Sequence, residues 1–379
     1  MTAELRQYTR DDATAPSEFD DQAVDTHLEV AQPFDPAKIR ITTTQALLTG
    51  IIRRIDHQEI DLEPTFQHRA RLWDNGRKSR LIESLLLRIP LPLFYVAADS
   101  KDNWRVVDGL QRLTTIHDFI KAQFALDGLE YMPQLSGLTF SGLPRAMQRR
   151  LEETPLLINI IMDGTPEELI INIFKRINTG GLEWTLQEIR NAVYPGAARQ
   201  FLRELVALPC FKEGTGNKVN DERLAAQEMV LGFLAFRLTP WQEYCTHNPG
   251  RDNFLNHAMR QINEMSDTSR EALQADFTRA MWLAVQLFGA DAFRRPHAVP
   301  GKHRPINRPL FETWSVTLAN LPVSQHAPLI AKKAKLHGVF ADLMQDERFN
   351  TAIRFASTNL NNIRYRFEKI QKLIDEVLQ

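Results

Sequence analysis

Between Trp104 and Ile120 the sequence WRVVDGLQRLTTIHDFI changes its hydrophobic period, and that change limits what the chain can fold into. Trp104, Val106 and Val107 read as the end of a short buried strand. Asp108-Gly109 is a turn signal. From there Leu110, Leu113, Ile116 and Ile120 fall on one helical face, with Gln111, Arg112 and Thr115 off it. A strand that turns directly into a helix presents backbone N–H groups at the helix start, and these attract phosphate and other anions. Gly109 lets a ligand approach the backbone closely. Asp108 can orient a metal ion or a water, Gln111 can position one, and Arg112 offers a two-pronged contact to phosphate while staying dispensable for the core. The plainer alternative is an Asp N-cap followed by a solvated Gln and Arg.

Upstream, residues 1–33 form an acidic arm with few large apolar side chains; its acids, from Glu4 to Glu29, face only Arg6 and Arg10. Thr42, Thr43 or Thr44 can cap a helix carrying Leu47, Leu48, Ile51, Ile52 and Ile55. Ile60–Leu62 reads as extended. Arg69 and Trp73, four apart, share a helical face. Asn75-Gly76 reads as a break, with Ser79 opening the next helix, whose apolar side holds Ile82, Leu85, Leu86 and Ile89. Arg69, Arg71, Arg77, Lys78 and Arg80 around Trp73 suit phosphate contact with base stacking, or a solvated face with Trp73 in the core. Leu91–Ala98 and Trp104–Val107 read as a hairpin across Asp99–Asn103. A polar helix at Pro144–Glu152 and a buried strand at Leu156–Met162 follow. Thr165, with Pro166 and Glu168, fits a capping box for a helix bearing Leu169, Ile170, Ile173, Phe174 and Ile177. That helix runs into Arg176, Asn178, Thr179, Gly180 and Gly181, a turn able to wrap a phosphate or ribose, or simply a Gly-rich C-cap. Leu186–Val193 reads as the last helix of this half.

Tyr194-Pro195-Gly196 marks a domain boundary. The expected division is an arm at 1–33, a mixed domain at 34–196 and a helical domain at 197–379, so the fold class is α+β followed by an all-helical part. Helices are expected near 197–207, 221–238, 251–263, 270–288, 310–320, 327–343 and 359–378. The last carries a seam of Leu360, Ile363, Phe367, Ile370, Ile374 and Val377, which is core or a homodimer contact. The loop 292–311 holds Arg294, Arg295, Lys302, Arg304 and Arg308 with no acid, a candidate contact for DNA or a partner for the acidic arm.

A net charge of −1 over 379 residues argues against coating nucleic acid by bulk attraction, though not against a local basic patch. Cys210 and Cys245 form no disulfide framework or zinc pattern and read as thiols in a reducing cytoplasm. No apolar run reaches a membrane span, and the acidic start is not a signal peptide.

Taken together, Asp108-Gly109-Leu110-Gln111-Arg112, the Phe174-x-Arg176-x-Asn178-x-Gly180 turn, the Arg69/Trp73 helix and the Lys78–Pro92 segment resemble the DGQQR family. That family stands at the N-terminus of GmrSD-type modification-dependent restriction enzymes and is shared with SspE-type defence proteins; its domain is similar to the ParB/sulfiredoxin-like fold. The resemblance covers roughly residues 35–195. It implies nucleotide binding, often with GTP or other NTP hydrolysis, in defence against phage or modified DNA. Asp108, Gln111 and Arg112 would be catalytic, with Mg²⁺ on Asp108. Gly109, Thr115, Arg69, Trp73, Lys78, Arg176, Asn178 and Gly180 would bind nucleotide. Phosphoryl transfer needs positioning and charge neutralisation above all, which such residues supply. Leu110 departs from the family's first Gln. After residue 197 His297, His303 and Asn307 make no HNH pattern, so a separately encoded nuclease subunit is expected. Two alternatives stand beside this reading: a metal-dependent nuclease using the same motif, and a non-enzymatic module that binds DNA or a partner.

Overall fold

The computed structural model describes residues 39–62, 73–177, 185–219, 221, 223–296, 303–354 and 359–379. The acidic arm, Arg69, Arg71, Asn178–Gly181, His297 and Lys302 lie outside the described residues. The chain divides into two compact units, meeting at Pro195/Gly196.

The first unit is built on a five-stranded sheet. Its strands are β1 (Ile41–Leu47), β2 (Ile60–Asp61), β3 (Phe94–Ala98), β4 (Trp104–Asp108) and β5 (Pro155–Ile161), in the order β1-β5-β3-β4-β2. β1 runs antiparallel to β5 and β3 to β4, whereas β3 lies parallel to β5 and β2 to β4. Val96, Val107, Ile158 and Ile161 are almost inaccessible, as expected of β-branched residues in a covered sheet. The β3–β4 hairpin is closed by Asp99, whose carboxylate accepts from the N–H groups of Lys101 and Asn103 at 2.8 and 2.9 Å. That is the side-chain turn its sequence suggested.

Two expectations fail here. Thr42–Thr44 do not cap a helix: they lie in β1, where Thr43 Oγ1 donates to Asn159 Oδ1 on β5 at 2.7 Å. The β-branched run finds a ladder partner, and the helix α1 (Leu48–Asp56) starts only where Leu48, Ile51, Ile52 and Ile55 turn inward. The second helix does not open at Ser79: α2 (Asn75–Leu86) already starts at Asn75, because the Asp74 carboxylate accepts the Arg77 N–H at 2.7 Å and caps the end first; the segment that Asn75-Gly76 was expected to end lies outside the described residues. Ser79 is fully buried instead, its hydroxyl accepting the Asp127 N–H at 2.9 Å, and Ile89 is exposed.

After β4 come α3 (Leu110–Ile120), α4 (Arg145–Glu152), α5 (Glu167–Ile177) and α6 (Leu186–Val193). At the head of α5 the Thr165 hydroxyl turns back to donate to Met162 O at 2.8 Å, and the first helical N–H bonds run to Pro166 O. The Glu168 side chain lies outside the described residues; a capping box is present at α6, where Thr185 and Glu188 satisfy each other's backbone N–H groups.

The second unit is helical throughout its described part. Its helices are α7 (Ala197–Ala207), α8 (Pro209–Thr215), α9 (Ala225–Leu238), α10 (Trp241–His247), α11 (Arg251–Glu264), α12 (Asp267–Phe288), α13 (Arg308–Asn320), α14 (His326–Ala331), α15 (Lys333–Leu343), α16 (Glu347–Arg354) and α17 (Leu360–Leu378). The expected helix over 327–343 is two, broken at Lys332. The short helices α8, α10 and α16 carry too few turns to register as a period. In α17, Ile363, Phe367, Ile370, Ile374 and Val377 are buried within this unit, so the seam is core and not a dimer contact. Around it Phe236, Tyr244 and Phe254 pack ring to ring. Glu312 of α13 takes Arg251 on one carboxylate oxygen and Arg366 on the other, the latter at 2.7 Å. A Cβ on Gly232 would meet the Glu312 carboxylate at 2.5 Å, which makes glycine necessary in the middle of α9.

The strand-to-helix turn as a candidate functional site

β4 delivers Asp108 to the edge of the core, and Gly109 reverses the chain with φ of +97°. Two demands fix glycine at this point. The left-handed backbone disfavours a side chain, and a Cβ would stand 2.4 Å from the Phe94 ring. Close approach therefore does matter at Gly109, but the described partner is Phe94 of the neighbouring strand.

Arg112, one turn into α3, is not the free phosphate contact expected. Its guanidinium donates to Leu93 O at 3.1 Å, to Pro92 O, and to Asp108 Oδ2 at 3.0 Å, and it lies over Phe94 at 4.3 Å. Its side chain is only 12% exposed. Burial pushes it below the usual guanidinium value, and the Asp108 charge opposes that shift. The reason is geometric: Pro92 and Leu93, leading into β3, fold over the side of α3 that the Leu110–Leu113–Ile116 stripe leaves bare. Asp108 keeps a third of its side chain in solvent.

Thr115 is also corrected. It was expected off the apolar face, yet it is 0% exposed. The polar side of α3 is covered by α2, whose Lys78 reaches Asp118 at 3.7 Å and sits over Phe124 at 5.6 Å. Gln111 Oε1, Thr114 Oγ1 and Thr115 Oγ1 are buried without a hydrogen-bond partner. Trp73 is half-buried under the Arg77 guanidinium, 4.8 Å away, and Arg77 and Arg80 are exposed. Arg176 is exposed on α5, and both α5 and α6 pack against β4. The joint therefore carries Asp108 and Gln111, with Thr115 a turn further on, whereas Lys78 sits beside Asp118 near the other end of α3, about 12 Å along the axis at about 1.5 Å per residue. Arg69, Asn178 and Gly180 lie outside the described residues.

The basic loop of the helical unit divides. Arg294 is 4% exposed and donates to Ala290 O, Ala292 O and Thr215 O at 2.8, 3.2 and 2.7 Å. It is a structural tie and not a nucleic-acid contact, because three carbonyls at a helix junction require a buried donor. Arg295, Arg304 and Arg308 are half-exposed. His303 pairs with Asp291 at 2.6 Å.

Sequence reasoning missed several buried polar residues that hold the site. Glu83 of α2, 3% exposed, accepts the N–H groups of Glu130, Tyr131 and Met132 at 3.1, 2.7 and 2.8 Å. A carboxylate set between Ile82 and Leu86 was the available signal. Gln187, Arg190 and Asn191 are buried on α6, with Gln187 bonded to both of the others. Arg105 of β4 donates to Ala192 O and Val193 O at 3.2 and 2.7 Å, joining β4 to the end of α6. Among the described residues no group of three or more His, Cys, Asp or Glu is placed to hold a metal, so Asp108 offers one ligand. Among them too, no helix is long and apolar enough to cross a membrane. Cys210 and Cys245 are buried free thiols.

Residues 47–195 match one family model, described as the GmrSD restriction endonuclease, N-terminal domain. No curated protein and no solved structure gives a significant match.

Proposed function

We propose, taking residues 47–195 as a domain of the GmrSD N-terminal type, that the chain is a component of a restriction or anti-phage system whose β4–α3 turn binds a nucleoside triphosphate. The observation that carries this reading is the joint itself. A partly exposed carboxylate stands at the head of a helix, next to a buried carboxamide oxygen that lacks a partner. The first N–H groups of α3 suit the phosphates. Asp108 would hold Mg²⁺, and that ion when bound would neutralise phosphate charge. Arg112 orients Asp108 and does not reach for phosphate itself.

Hydrolysis would follow from charge neutralisation at this joint, and the bound nucleotide would switch contact with DNA or with a separately encoded nuclease subunit. DNA contact in the helical unit falls to Arg295, Arg304 and Arg308. The test is titration of the full chain with GTP, ATP and CTP, with and without Mg²⁺, followed by phosphate release. Micromolar binding to one of them is expected, lost at least tenfold in Asp108→Asn with Mg²⁺ present. Nicking of supercoiled plasmid by the chain alone, without nucleotide binding, would overturn the reading in favour of a nuclease.

A further inference from the structure

An unpaired sheet edge is a template for a further strand unless something blocks it. One edge of this sheet is blocked: β2 is only Ile60–Asp61, short and ending on an acid. The other edge is β1. It runs from Ile41 to Leu47 and pairs with β5 in continuous register, from Ile41↔Ile161 to Leu47↔Pro155. Its sequence, ITTTQAL, carries no charge and no proline, the usual guards of an open edge. Its threonines and isoleucine favour extended backbone.

The backbone bonds at the two ends of β1 fix which residues face outward. Leu48 N–H donates to Thr154 O at 2.9 Å, and Met162 N–H donates to Arg40 O at 2.8 Å. Hydrogen-bonded and non-hydrogen-bonded pairs alternate along an antiparallel ladder. Thr42, Thr44 and Ala46 therefore direct their N–H and C=O groups to β5. Ile41, Thr43 and Gln45 turn both groups to the open edge. Leu47 turns its N–H there, its C=O serving the first turn of α1 as the N-cap. Among the described residues nothing meets these outward groups. The same four side chains share one face of the sheet. On it Ile41, Leu47 and, from β5, Leu157 are exposed.

The strand is close to a palindrome. Laid antiparallel on a copy of itself about Thr44, Ile41 meets Leu47 and Thr43 meets Gln45. Apolar then faces apolar, hydroxyl faces carboxamide, and the outward N–H and C=O groups fall in the hydrogen-bonded positions. The next registers either way set Ile41 on Gln45 or Leu47 on Thr43. Charge also favours the antiparallel sense. Arg40 precedes the strand, and in the antiparallel pair its two copies stand roughly 27 Å apart at about 3.4 Å per residue. That is well beyond the screening length of about 8 Å at physiological salt. A parallel pair would set them side by side. We infer that β1 is an interface between two copies of this chain, paired antiparallel about a two-fold axis at Thr44, so that one sheet runs through both. A self-complementary strand is what such a symmetric contact requires.

The axis makes a sharp test, because Thr44 stands opposite its own copy in a non-hydrogen-bonded pair. Such Cα atoms are about 4.5 Å apart, within the span of a disulfide. Thr42 lies roughly 14 Å along the strands from its counterpart, at about 3.4 Å per residue. Under mild oxidation the full chain carrying Thr44→Cys is expected to run as a covalent dimer on a non-reducing gel. Thr42→Cys should stay single, as should the wild type, whose Cys210 and Cys245 are buried. Sedimentation equilibrium should show the wild type as a dimer at micromolar concentration. Gln45→Lys puts two like charges about 7–8 Å apart on the diagonal across the axis. It should raise the dimer dissociation constant at least about tenfold, and mixing it with Gln45→Glu should restore the dimer. Thermal melting of each variant controls for folding. A monomeric wild type overturns the inference. So does a dimer that Thr44→Cys does not lock and Gln45→Lys does not weaken, since its contact would lie elsewhere.

Discussion

Arg112 is a donor shared by three acceptors, and its loss is felt at each of them. Arg112→Ala leaves the Pro92 and Leu93 carbonyls and the Asp108 carboxylate without that donor. An unsatisfied buried group costs about 1–3 kcal/mol. The three losses overlap, so we expect a destabilisation of about 2–4 kcal/mol, read as a lowered urea midpoint. Arg112→Lys should recover only part of it, because an ammonium cannot span the three acceptors as a planar fork does. A midpoint equal to that of the wild type would restore Arg112 as a free phosphate contact. At this scale the sequence was legible for apolar residues and poorly legible for arginines. Leu110, Leu113 and Ile116 are buried where their spacing put them. Arg112 and Arg294 looked solvated because their acceptors lie on other segments. The carbonyls that hold Arg112 are 20 and 19 residues back, and Thr215 O is 79 residues from Arg294.

Elements are tied to each other at their ends, and one tie is sensitive to acid. Asp56 at the end of α1 meets Lys121 at 2.8 Å and His117 at 3.2 Å, at the end of α3. The hydrogen bond from Lys121, then that from His117, holds the Asp56 carboxyl below its ordinary value of 3.8. A folded value below the unfolded one makes this contribution fully present above about pH 4, and lost as the pH falls through the folded value. Asp56→Asn should therefore lower the urea midpoint near pH 6, and by less as the pH falls below 4. A deficit of the same size in both ranges would mean that the carboxyl charge plays no part. The hairpin of β3 and β4, the strand β5 and the helix α6 were readable because period and turn residues agreed locally. β1 was misread for the opposite reason. Its threonines cap or extend equally well, and the strand that decides between these lies more than a hundred residues on, with Thr43 and Asn159 116 apart. At α2 the competition was local: Asp74 reached the helix N–H before Ser79 could.

The whole molecule holds two cores with different cements. The sheet unit is closed by apolar side chains and by ties from Arg112, Arg105 and Glu83. The helical unit contains a buried carboxylate between two arginines, with the Glu312 side chain 6% and that of Arg366 1% exposed. Glu312→Ala leaves the buried Arg366 and Arg251, whose side chain is 24% exposed, without their shared carboxylate, and breaking such a cluster costs about 3–5 kcal/mol. Differential scanning calorimetry should show the loss in the transition of the helical unit alone, while nucleotide binding by the sheet unit persists. A uniform loss of both would mean that the two units unfold as one. The order in which the cores can form is a separate consequence of where α17 stands in the chain. Its seam fills the middle of the helical unit, and Arg366 on it completes the Glu312 cluster. During synthesis the sheet unit has all its described elements once residue 193 has left the ribosome. The helical unit must wait for residues 360–378, with Phe236 and Trp241 lacking the Phe367 ring that packs on both. For that interval the nascent chain is a client for chaperones, and translation pauses before residue 360 would lengthen its exposure to aggregation.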